Sequence, residues 1–134
     1  IFDEILDLFN FYIKIMAEHN DLGVIGEQYA VDYLLKNGYK IRYRNYRYLK
    51  AEIDIIAQKQ NTVVILEVKT RSTDFIENLG ELITPKKIKL LVMAANHYMI
   101  DNELDFEVRF DIIIINTAKR AFELNHIEDA FYHF

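Results

Sequence analysis

The run Ala51-Glu52-Ile53-Asp54-Ile55-Ile56, followed after a short polar break by Val63-Val64-Ile65-Leu66-Glu67-Val68-Lys69, decides the fold. Two apolar runs rich in β-branched residues around such a break read as a β-hairpin. Ile53, Ile55, Val63, Val64, Ile65, Leu66 and Val68 place apolar side chains on both faces, so a sheet covered on both sides is expected. Asp54, Glu67 and Lys69 interrupt that pattern, and burying such charges is costly unless they are paired or bind a metal. Glu67 and Lys69 are two apart and project from one face of a strand. Asp54 joins them if residues 54 and 67 stand opposite each other, which leaves Lys59-Gln60-Asn61-Thr62 as a four-residue loop.

An acid on one strand and acid-x-lysine on the next is the skeleton of a metal-dependent phosphodiesterase site. Asp54 and Glu67 can offer carboxylate oxygens to a hard divalent cation, and the Val68 carbonyl a third oxygen. Lys69 can orient the attacking water and offset developing negative charge. The other reading is a buried acid–lysine ion pair that sets strand register. The spacing alone, being short, recurs by chance.

The chain has 134 residues, of which 51% are hydrophobic, enough for one domain with one core. It has no cysteine, which excludes thiol nucleophiles and thiolate metal sites and fits a cytoplasmic location. No apolar run approaches the ~20 residues that a membrane helix needs. Histidines 19, 97, 126 and 133 lack zinc-ligand spacing, and neither a nucleophile elbow nor a nucleotide-binding glycine loop is present. The net charge is −5, yet residues 36 to 89 hold twelve Lys or Arg against six acids. A basic half on an acidic protein suits a polyanion that is held and released.

Residues 1–15 form an amphipathic segment, with Asp3, Asp7, Asn10 and Lys14 on a polar stripe and Phe2, Ile5, Leu6, Phe9 and Ile13 opposite. They are either a helix that packs on the domain or a partner, or an extension ahead of a start at Met16, which leaves residues 16–134 as the single domain. From Asp21, a second helix buries Leu22, Ile25, Gly26, Tyr29, Ala30, Tyr33 and Leu34 and ends at Asn37-Gly38. Gly23 and Gly26 suggest close approach to another backbone, and Glu27 borders the buried stripe. Tyr39, Ile41 and Tyr43 alternate with Lys40, Arg42 and Arg44, a strand whose outer basic face either contacts phosphates or protects a sheet edge. After Thr70-Arg71-Ser72 an irregular stretch to Ile83 is expected, a loop beside the site. Thr84-Pro85 starts a helix with Ile88, Leu91, Val92, Ala95, Tyr98 and Met99 inward. Lys86, Lys87 and Lys89 crowd its first turn against the helix dipole, as a solvated cluster or because an anion sits near. Val108 to Ile115 reads as a buried strand in which Asp111 is either another site carboxylate or a structural partner of Arg109 or a neighbouring strand's lysine, the structural role being favoured. Ala121 to Leu124 suggests a short strand and His126 to Phe131 a helical turn.

Gly23-x-x-Gly26-Glu27-x-x-Ala30, then Asn45-Tyr46-Arg47, Glu52-Ile53-Asp54 and Glu67-Val68-Lys69-Thr70-Arg71, with Arg109-Phe110-Asp111 late in the chain, resemble the YraN-like family of bacterial predicted endonucleases. The resemblance covers about residues 18 to 132. It implies an α/β fold, the restriction-endonuclease-like three-layer αβα core in the order αβββαβ around a mixed sheet, similar to Holliday-junction resolvases. It implies Asp54, Glu67 and Lys69 as the catalytic set, Glu27 as an additional acidic ligand or neighbour, and Mg²⁺ or Mn²⁺ as cofactor. Arg42, Arg44, Arg47, Arg71, Lys86 and Lys87 are the cations expected to meet nucleic acid, DNA first. The expected function is a metal-dependent DNA endonuclease, with branched or damaged DNA as candidate substrates. The alternative is a binding or interaction module that keeps the fold with little turnover. A resolvase-like role would call for a homodimer. The family has glycine before Glu-Ile-Asp where this chain has Ala51, so the turn entering that strand is expected to differ.

Overall fold

The computed structural model describes residues 1–16, 22–72 and 79–131. Helix α1 (Phe2–Met16) is followed by α2 (Leu22–Lys36), β1 (Lys40–Tyr48), β2 (Ala51–Lys59), β3 (Thr62–Arg71), α3 (Leu79–Leu82), α4 (Pro85–Asp101), β4 (Glu107–Asn116) and β5 (Glu123–Ile127). The strands lie in the order β1-β2-β3-β4-β5. β3 and β4 run parallel and the other neighbours antiparallel, a mixed sheet.

One core lies between the sheet and α4, where Ile53, Ile56, Val63, Ile65, Phe110 and Ile112 meet Leu91, Ala94, Ala95 and Tyr98. The second lies under α2, where Ile55, Ala57, Val64, Leu66, Ile113 and Ile115 meet Ala30, Val31 and Leu34. Apolar residues on both faces of β2 and β3 thus have helices on both sides, which makes the three-layer αβα arrangement. Val31 joins the α2 stripe although strict periodicity omits it.

The helix ends follow their capping residues. Thr84 Oγ1 accepts from the Lys87 N–H at 3.2 Å, with Pro85 in the first turn. Gly38, at φ 84°, closes α2 and lets the Tyr39 N–H reach the Leu34 carbonyl at 3.0 Å. Gly26 packs on β3, where a β-carbon would overlap Thr70 Oγ1. The close approach is to a side chain rather than to backbone.

Several expectations are corrected. The β2–β3 ladder extends to Lys59↔Thr62, so the hairpin loop is Gln60-Asn61, two residues rather than four, with Gln60 at φ 53°. The stretch before Thr84 contains α3, while 73–78 lie outside the described residues, as does Asp21. His126 belongs to β5, and a turn at 128–129 with Asp129 at φ 50° takes the place of the expected helical turn. Ala51 is buried in an ordinary strand conformation, and the left-handed residue of the β1–β2 turn is Leu49 at φ 55°. On α1, Phe2, Ile5, Leu6 and Phe9 are exposed, and Asn10 is buried although the polar stripe would have it exposed.

Candidate metal and phosphodiester site

The site forms where β2 and β3 separate. Their ladder ends at Ile55↔Leu66, and the same register carried one residue further sets Asp54 opposite Glu67. At this step the alternation of β2 resets, since Ile53 faces α4, Ile55 faces α2 and Ile56 faces α4 again. Across on β1, Asn45 takes a left-handed φ of 54°, between the pairs Arg44↔Ile55 and Tyr46↔Ile53. Asparagine is one of the few side chains that tolerate this conformation. The freed Asp54 carboxylate accepts from the Val68 N–H at 2.8 Å, replacing the next rung of the ladder with a side-chain bond.

Glu67 and Lys69 project together as their spacing requires, with Lys69 Nζ 3.6 Å from Glu67 Oε1. The Glu67 side chain is only 7% exposed. Its Oε2 is buried and has no hydrogen-bond partner. Burial, and then the negative charge of Asp54, push the Glu67 carboxyl up to about 7, against the pull of Lys87 and Lys69. Asp54 is also raised, by burial first, although the Val68 N–H, Lys87 and Lys69 stabilise its charged form. Two adjoining buried carboxyls that resist ionising together are the donor type that a hard divalent cation takes, here with the Lys69 and Lys87 ammoniums beside them. The orphaned Glu67 Oε2 fits such an ion.

Glu27 stands on α2 at the other side of this corner. Burial and the Asp54 charge raise its carboxyl, while Arg44 and Asn45 lower it. Asn45 Nδ2 donates to Glu27 Oε1 at 3.2 Å, and Arg44 lies 3.4 Å from the same oxygen while donating to Gln28 Oε1 at 2.9 Å. Gln28 was not singled out in the sequence, and Asn45 appeared there only in the Asn45-Tyr46-Arg47 motif, with no role in the site. An asparagine inside an otherwise alternating strand was the available signal.

The expected cationic face divides. Arg47 is exposed beside Glu52 at 3.6 Å, and Lys86 is exposed on the first turn of α4. Arg71 is half-buried and donates to the Thr70 carbonyl at 3.1 Å. Arg42 turns inward instead, donating to Tyr98 Oη at 2.8 Å and Gln58 Oε1 at 2.7 Å, because a bulge between Ile41 and Tyr43 reverses the alternation of β1. Lys87 also leaves the outer face, its ammonium 3.8 Å from Glu67 Oε2.

A second polar cluster lies elsewhere on the sheet. Asp111, His126 and Glu128 bring ligand-type atoms within 4.8 Å of one another. Asp111 is already saturated by Arg109 at 2.9 and 2.8 Å, His126 Nε2 at 2.7 Å and the Asp129 N–H at 3.0 Å. Those bonds hold its carboxyl below the usual range despite burial, and Tyr33 Oη closes the chain at 2.9 Å from His126 Nδ1. A carboxylate with its lone pairs filled by protein donors is a structural lock, and the pairing with Arg109 is the one its sequence position suggested.

The family model described as Uncharacterised protein family UPF0102 matches residues 26–115. A UPF0102 protein of Flavobacterium psychrophilum is 54% identical over 119 residues, 89% of this chain and 100% of its own length. Another, of Christiangramia forsetii, is 53% identical over the same shares. That of Bacteroides thetaiotaomicron is 48% identical over 87% of this chain and 97% of its own. Among the described residues, no helix is long and apolar enough to cross a membrane.

Proposed function

The chain belongs to the UPF0102 family, in line with its YraN-like motifs, and from that premise we propose that it is a divalent-metal-dependent endonuclease hydrolysing DNA phosphodiester bonds. The observation that carries this reading is the buried Glu67 Oε2, without a hydrogen-bond partner, beside Asp54 and with Lys69 on the same face. Asp54 and Glu67, with the Val68 carbonyl, would hold Mg²⁺ or Mn²⁺, and Glu27 would border the ion from α2. Such an ion supplies Lewis-acid charge and acidifies water near neutral pH. Lys69 orients the attacking water and offsets charge developing on the phosphate. Arg44, Arg47, Arg71 and Lys86 would contact the DNA backbone, and such phosphate contacts hold a polyanion without reading its sequence.

A second reading is favoured by one feature: both oxygens of Glu67 have a lysine within 4 Å, at 3.6 and 3.8 Å, as in a charge-compensated relic site. A binding module would keep that cluster without turnover. Linear, flapped and four-way DNA incubated with Mg²⁺ or Mn²⁺ separates the two. Cleavage supports the nuclease, and preference for the junction together with a dimer by light scattering supports a resolvase-like role. Retention of DNA with no cleavage under any divalent ion supports the binding module.

A further inference from the structure

Lys87 reaches the acid pair from outside the hairpin. It sits in the first turn of α4, its ammonium 3.8 Å from Glu67 Oε2 and 3.4 Å from the Glu52 carbonyl. That Glu67 oxygen is buried with no hydrogen bond, and Lys69 lies 3.6 Å from the other. The two lysines therefore differ in attachment. Lys69 is two residues along the same strand and moves with Glu67. Lys87 arrives on a flexible four-carbon arm from a separate helix, with 32% of its side chain exposed. The start of a helix disfavours a cation. The ammonium is held there by a hydrogen bond donated to the Glu52 carbonyl together with the charge of the acid pair, since 3.8 Å from Glu67 Oε2 is beyond hydrogen-bond reach.

We propose that Lys87 is a resident counter-ion of Glu67, competing with the divalent cation for Oε2 and swinging away when that cation binds. This rests on the nuclease reading, and it gives Lys87 a role distinct from Lys69. With its ammonium released at the mouth of the site, Lys87 then contacts a phosphate oxygen of the DNA. A lysine that guards the acids in the resting protein thus becomes a substrate contact in the loaded one.

The test is calorimetric titration of Mn²⁺ alone into the full chain carrying Lys87→Met or Lys87→Arg, beside wild type, followed by KM for DNA. The Thr84 cap uses the backbone N–H of Lys87, which both substitutions keep. Lys87→Met should bind Mn²⁺ more tightly, on the order of tenfold, because an opposing charge near the ion is gone. Lys87→Arg should stay near wild type, and KM should rise for Lys87→Met only. Equal or weaker Mn²⁺ binding by Lys87→Met overturns the proposal while leaving the nuclease reading intact, as does equal tightening by Lys87→Arg. An unchanged KM overturns the phosphate contact. Wild type that binds no Mn²⁺ and cleaves no DNA overturns the nuclease reading itself, and this inference with it.

Discussion

Replacing Glu67 by glutamine should strengthen the fold while removing the activity. The Glu67 side chain is 7% exposed, and burial with the Asp54 charge lifts its carboxyl from 4.5 to about 7. The folded protein thus holds this proton more tightly than the unfolded chain does. Stability contributed by the protonated form is present below the unfolded value and falls as pH rises through the folded one. At about 1.4 kcal/mol per pH unit between the two values, ionised Glu67 costs about 3 kcal/mol at pH 8. Glutamine keeps the shape and removes the charge, so Glu67→Gln should melt roughly 10 °C above wild type at pH 8 without divalent ions. Near pH 5 the gap should nearly close. Added Mn²⁺ should raise the wild-type melting temperature and leave the variant's unchanged. Circular dichroism melts at both pH values, with and without Mn²⁺, carry the measurement. A variant less stable than wild type at pH 8 would refute the reasoning, because Glu67 would then be a structural partner of the lysines.

Gly26→Ala should cost about 1–3 kcal/mol in urea unfolding, since its β-carbon meets Thr70, and Thr70→Ala in the same chain should recover most of it; no loss in the single variant would contradict the packing. Asp111→Ala leaves Arg109 without its bidentate partner and should cost about 3 kcal/mol, with DNA cleavage per folded molecule retained. Because the Asp111 carboxyl is held below its ordinary value, its contribution is present above the unfolded value and lost as pH falls through the folded one, so the variant should lose the matching part of the wild type's acid transition. Asn45→Gly and Asn45→Ala both lose the bond to Glu27, but only alanine is strained at φ 54°. Alanine should therefore be less stable by roughly 1 kcal/mol, and equal melting curves would count against a backbone role.

The pairing of residues 54 and 67 was legible from the charges, because it is the register that lets Asp54 join Glu67 and Lys69, whose spacing already puts them on one face. The loop length was not legible, since extending the ladder to Lys59↔Thr62 changes where pairing stops without changing the register. The carboxylates are therefore where the pattern put them although the loop is shorter. Arg42 was misread because a bulge reverses alternation, and one extra residue leaves no mark in a strand of alternating Tyr and Arg. The contacts of Lys87 with Glu67 and of His126 with Asp111 join residues far apart in the chain, where local periodicity carries no information.

Single-turnover cleavage of end-labelled DNA with Mg²⁺, by wild type, Asp54→Ala and Lys69→Ala prepared alike, tests the assignment of the site most directly. Wild type should cleave in a reaction that stops with chelator, and the rate should fall about a hundredfold or more in each variant. Cleavage by Asp54→Ala at the wild-type rate, or none by wild type with any divalent ion, would contradict it.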